Sequence, residues 1–135
     1  MTIVTTSRKP VPELRSLAKD FAFAAGCRYI IRGKMGLSAV NSLDPTPVIF
    51  SLHEGTSLSL ALCAGGNVDT LLLIFGFRTI VRDGPRRGIR VNDLSIYERL
   101  VPYIPVKLSE EGDDSCVFDG TRSRRYLLSL KIHEA

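Results

Sequence analysis

The opening of this chain constrains its fold more than any other stretch. A strand-forming run, an amphipathic helix and a second strand-forming run follow one another within the first 32 residues. Ile3–Thr6 is β-branched throughout and reads as a short strand. Pro10 and Pro12 punctuate, and Pro12 suits the first helical turn, where its missing N–H costs nothing. From Glu13 the residues Leu14, Leu17, Ala18, Phe21, Ala24 and Ala25 recur at helical spacing, and Gly26 is a natural stop. Arg15 and Lys19 stand four apart on a different stripe, facing water or a ligand. Arg28–Arg32 reads as the second strand, with Tyr29 and Ile31 on one face and Tyr29 expected to pack in the core.

The remainder is richer in strands. Leu37–Leu43 is a short helix closed by Asp44-Pro45. Val48–His53 and Ser57–Cys63 are strands joined by Glu54-Gly55-Thr56 as a hairpin. Ala64-Gly65-Gly66-Asn67 is the best boundary between an N-terminal half of about 1–64 and a C-terminal half of about 68–135. Leu71–Val81 predicts one or two buried strands, and residues 82–88 a Gly/Pro-rich turn or exposed loop. Asp93 is placed to cap a helix through Val101, with Leu94, Tyr97, Leu100 and Val101 inward. Ser109–Ser115 is an acidic exposed loop, and Cys116–Phe118 and Arg125–Ile132 are closing strands. The plan is α/β with a mixed sheet in a single domain, arranged as two similar halves, although no sequence repeat marks a duplication.

Charge is distributed unevenly. The net charge is +4, yet residues 1–34 carry seven basic side chains against Glu13 and Asp20, so the whole positive excess lies in the first quarter. That asymmetry points to a polyanion, nucleic acid before membrane. Two clusters concentrate it. Thr5-Thr6-Ser7-Arg8-Lys9-Pro10 joins a strand to a helix start, where hydroxyls, free N–H groups and adjacent cations favour an anion; the same residues also make a plain helix cap with solvated charges. In Arg32-Gly33-Lys34-Met35, glycine lets the backbone approach a phosphate that the flanking cations neutralise, or the loop is simply soluble. If the two opening strands are sheet neighbours, both loops emerge together. A third group, Arg82, Arg86, Arg87 and Arg90, either extends this surface or solubilises its loop. Arg122, Arg124 and Arg125 flank the last strand and are read as protecting a sheet edge, with Asp119 offsetting them.

Other chemistries find little footing. Cys27, Cys63 and Cys116 are odd in number, widely spaced and without neighbouring histidines, so buried thiols are expected rather than disulfides or zinc. Glu110/Glu111 and Asp113/Asp114 sit in the acidic run without a framework to tune them, and His53 and His133 lie outside any nucleophile motif. No phosphate loop ending in Lys-Ser/Thr is present. The chain is therefore expected to be no enzyme and to need no cofactor or metal. The longest apolar run, Leu71–Phe77, is far short of the roughly 20 residues of a membrane span. The first residues lack the order of a secretion signal, so a cytoplasmic location is expected.

Ile3–Pro10, then Arg15-Ser16-Leu17-Ala18-Lys19-Asp20, then Tyr29-Ile30-Ile31-Arg32-Gly33-Lys34-Met35 resembles the opening of Brix-domain proteins. Three motifs fall in order over about the first 40 residues. The likeness is nearest to the short archaeal members, and the chain departs from the family pattern at Ile31 and Gly36. The resemblance implies two α/β halves related to the anticodon-binding domain of class II aminoacyl-tRNA synthetases. It also implies a ribosome biogenesis role, binding ribosomal RNA or its precursor beside ribosomal proteins or assembly factors. The matching positions are Ser7, Arg8, Lys9, Arg15, Lys19, Arg32 and Lys34, the cations as phosphate contacts and Gly33 for backbone geometry. With no Trp and few aromatics among the cations, folded RNA read through backbone and shape is the expected mode, with base stacking minor. Two alternatives stand: a protein-interaction scaffold using residues 71–77 and 109–114, and a ribonuclease using the two histidines.

Overall fold

The computed structural model describes residues 2–8, 10–53, 57–81, 84, 88–109 and 114–133. Along the chain run β1 (Ile3–Thr6), α1 (Pro12–Ala25), β2 (Arg28–Tyr29), α2 (Leu37–Leu43), β3 (Val48–His53), β4 (Ser57–Ala64) and β5 (Asn67–Val81), followed by β6 (Ile89–Val91), α3 (Leu94–Leu100), β7 (Val106–Leu108), β8 (Cys116–Asp119) and β9 (Arg124–His133). The strands form one sheet in the order β2-β1-β3-β4-β5-β9-β8-β6-β7. Pairing is parallel for β1–β2, β1–β3 and β6–β7 and antiparallel elsewhere, which is the mixed α/β class expected.

Helix α1 organises the core. Leu14, Leu17, Ala18, Phe21, Ala22 and Ala25 form its buried stripe, and Gly26 ends it at φ 71°, its N–H donating to the Ala22 and Phe23 carbonyls. The Phe21 ring meets Phe50 of β3 edge-on at 5.1 Å and Phe118 of β8 at 5.4 Å, so strands from both flanks of the sheet close on one side chain. Phe118 in turn stacks on Tyr126 of β9 at 4.9 Å. Asp20, 2% exposed, carries this closure into polar contacts. Its carboxylate accepts from the Tyr126 hydroxyl, from the Thr121 N–H (3.3 Å) and hydroxyl (3.0 Å), and faces Arg124 at 3.5 Å. A Cβ at Gly120 would lie 2.7 Å from that carboxylate, so only glycine lets the chain pass here.

Several elements of the fold depart from the sequence expectations, each for a local reason. β2 stops at Tyr29 rather than reaching Arg32, because the chain leaves the sheet after Ile30 and turns over residues 32–35, as described below. β5 starts at Asn67, since Gly65 (φ 58°) and Gly66 (φ 83°) supply the left-handed pair of a two-residue hairpin and pairing resumes at once as Ala64↔Asn67. β6 and β7 are three-residue strands, too short for their apolar–basic–apolar alternation to stand out in the sequence. In α3 the cap at Asp93 is as expected, its carboxylate accepting from the Ile96 N–H, but the inward stripe is Ile96, Leu100 and, one turn on, Ile104. Leu94 and Val101 face outward at 57% and 44% exposure, because a two-turn helix has two apolar stripes and Ile104 decides between them.

Candidate nucleic-acid interface

β1 and β2 are parallel neighbours (Val4↔Tyr29), so the segments leaving their C-terminal ends emerge side by side. The Ile30 N–H donates to the Val4 carbonyl (2.9 Å), and the Thr5 hydroxyl to the Ile30 carbonyl (2.6 Å), which carries the pairing one residue past β2. On the opposite flank the Ser7 N–H donates to the Phe50 carbonyl at 2.8 Å. The two basic loops therefore share one end of the sheet, as adjacency of the opening strands requires.

Arg32 locks them together. Its Nη1 donates to the Thr6 carbonyl (2.9 Å) and its Nε to the Met35 carbonyl (2.7 Å), while the Met35 N–H closes a turn onto Arg32 (3.1 Å). Gly33, at φ 55°, supplies the left-handed residue that this turn needs. Burial holds the Arg32 guanidinium below its ordinary pKa, and the neighbouring Arg8 cation pushes the same way. Arg32 is thus a clasp between the loops first.

A groove runs between this clasp and α1. Arg15, Tyr29 and Ile31 line both of its adjoining depressions; one continues to Pro12, Ser16 and Lys19, the other to Thr6, Pro10, Arg32 and Gly33. Arg15 and Lys19 are exposed, one helical turn apart on the wall. Tyr29 is half-buried and packs against the core, as expected, while also lining the groove, and burial pushes its phenol above the ordinary pKa while Arg15 pulls it back. Ile31 is 77% exposed. Arg8, Gly33 and Lys34 are exposed, Gly33 at the groove and Arg8 within electrostatic reach of Arg32, and Ser7 is partly covered. Sequence reasoning missed the groove's apolar floor; the departure from the Brix pattern at Ile31 was its one signal.

Of the other basic residues singled out in the sequence, those that are described stand elsewhere. Lys9, Arg82, Arg86 and Arg87 lie outside the described residues, as do Glu110, Glu111 and Asp113. Arg90 sits half-buried on β6, in a recess with Asn92, Ser109, Asp114 and Val117. Arg124 and Arg125 do not guard a sheet edge, since β9 lies inside the sheet between β5 and β8. Arg125 instead pairs in bidentate fashion with Asp119 (2.7 and 3.2 Å), the offset expected of Asp119, and Arg124 lies 5.8 Å over the Tyr126 ring. Cys63 and Cys116 are buried and Cys27 half-buried, all free thiols, and burial pushes the Cys116 thiol to about 12. Among the described residues no three His, Cys, Asp or Glu side chains are grouped to hold a metal ion, and no helix is long and apolar enough to cross a membrane.

No protein-family model matches the chain, and no curated protein does. Solved structures do. Mil, an archaeal Imp4-like protein, aligns with a TM-score of 0.62 at 21% identity, over 98% of this chain and 100% of that one. A probable ribosomal biogenesis protein from Aeropyrum pernix K1 aligns with a TM-score of 0.61 at 17% identity, over 96% of this chain and 94% of that one. At these identities the likeness is one of fold.

Proposed function

We propose that this chain is a Brix-type ribosome biogenesis factor that holds ribosomal RNA or its precursor in the groove beside α1, without catalysis. One observation carries the reading: the parallel β1–β2 pair brings two basic loops to one end of the sheet, beside a groove lined by Arg15, Lys19 and Arg32. The fold shared with an Imp4-like protein and a probable ribosomal biogenesis protein supports it, as does the motif resemblance over the first 40 residues. Arg8, Arg15, Lys19 and Lys34 contact phosphates, with Lys9 beside them in sequence. The Ser7 hydroxyl adds a neutral donor, and Arg32 holds the rim in shape while presenting its outward N–H groups. Arg86 and Arg87 are further phosphate contacts, whereas Arg90 belongs to its own recess. The two halves, about 1–64 and 68–135, follow the anticodon-binding-domain kinship that the family implies. The setting is the cytoplasm, among ribosomal proteins and assembly factors.

The test is a titration of labelled ribosomal RNA fragments over a salt series. About five phosphate contacts give a log–log salt slope near −3 to −4, at ~0.7 per contact. An Arg8→Ala/Arg15→Ala/Lys19→Ala/Lys34→Ala variant, folded by circular dichroism, loses affinity at least tenfold and flattens the slope. Unchanged affinity and slope would overturn the reading. A salt-insensitive complex with a protein partner would favour a scaffold instead, with Phe75 of β5 (69% exposed) as its natural contact.

A further inference from the structure

The groove holds more than charge. A surface built only to meet duplex phosphates has no use for an exposed apolar floor, because phosphate oxygens carry nothing to cover it. Ile31 stands 77% exposed between the Arg15 wall and the Arg32 clasp, with the Tyr29 ring beside it. The β2 pairing and the Arg32 clasp fix both ends of the segment that bears them, so the floor is formed in the free protein. Arg15 and Lys19 lie about 6 Å apart along one helix face, a ladder that follows a single strand. Apolar floor and cationic walls together match one chemical object, a nucleotide with its base exposed and its phosphates on either side.

We infer that the groove takes an unpaired nucleotide, its base seated on Ile31 and Tyr29 while Arg15 and Lys19 hold the flanking phosphates. This rests on the RNA reading above and adds to it the class of RNA: single-stranded or bulged segments rather than continuous duplex. It also replaces the shape-only mode expected from the scarcity of aromatics.

The test uses the full chain and two probes of equal length, a fluorescein-labelled uridine dodecamer and a twelve-base-pair RNA duplex, at one salt concentration. Wild type binds the dodecamer more tightly. Ile31→Ser, at an exposed position that does not threaten folding, weakens the dodecamer about five- to tenfold and leaves the duplex unchanged, and Ile31→Phe tightens the dodecamer. Equal binding of both probes, with neither Ile31 variant altering the dodecamer, overturns the inference and leaves RNA binding standing. Binding of neither probe overturns the inference and the RNA reading together.

Discussion

In both β1–α1–β2 and β6–α3–β7 a strand runs into a helix and the chain returns as a parallel neighbour, yet the links between strand and helix differ in chemistry. The first link, Ser7–Val11, is five residues long and contains Arg8 and Lys9; its cap residue, Val11, makes no side-chain bond to the helix. The second link is Asn92-Asp93, and the Asp93 carboxylate occupies the start of α3. Past the returning strand the contrast repeats. Arg32-Gly33-Lys34 follows β2, whereas Glu110, Glu111, Asp113 and Asp114 follow β7. Residues 1–34 hold seven basic against two acidic side chains, residues 89–115 three against six. One supersecondary plan thus serves two ends. The first unit leaves its helix start without a side-chain cap and is rich in cations, while the second caps its helix with Asp93 and is rich in carboxylates, a contrast that under the proposed function favours a polyanion at the first.

That contrast depends on the two units forming one body, and the strongest way to break it is through Asp20. Asp20→Ala would strand the buried Tyr126 hydroxyl and release Thr121 and Arg124, which reach water, at a cost of about 1–3 kcal/mol. Urea unfolding measures it; a loss below 1 kcal/mol would mean that α1 and the β8–β9 segment are held together by the aromatic contacts alone. Next in size is charge reversal. Arg15→Glu/Lys19→Glu lowers RNA affinity at least tenfold at 0.1 M salt, and Glu98→Lys on α3 raises it by less than about twofold. Equal effects from both helices would erase the distinction. Smallest is the capping difference. Asp93→Ala destabilises by about 1 kcal/mol, whereas Val11→Asp adds a missing cap, stabilises by about 0.5 kcal/mol and weakens RNA binding.

Much of the first unit was legible in the sequence because its signals are redundant. Pro12, the apolar stripe and Gly26 each mark α1, and the structure bounds it at Pro12–Ala25. The second unit gave fewer signals. Strands of three residues such as Ile89–Val91 show too little alternation to be seen, and a seven-residue helix cannot choose between Leu94/Val101 and Ile96/Leu100 without knowing what lies beneath it. The cations of the candidate site were legible one by one. Their convergence was conditional, since no residue in the sequence states that β1 and β2 are neighbours. The use of Arg32 as a clasp and the exposure of Ile31 depend on a turn whose geometry is tertiary, which is why the groove's floor appeared only in the structure.

The most direct test of the account is photo-crosslinking of 4-thiouridine-substituted ribosomal RNA to the intact chain, with the crosslinked peptides mapped by mass spectrometry. The account predicts crosslinks concentrated within residues 6–34, at Tyr29 and its neighbours above all, and sparse within residues 89–109. Crosslinks concentrated in 89–109, or spread equally over both units, would contradict it.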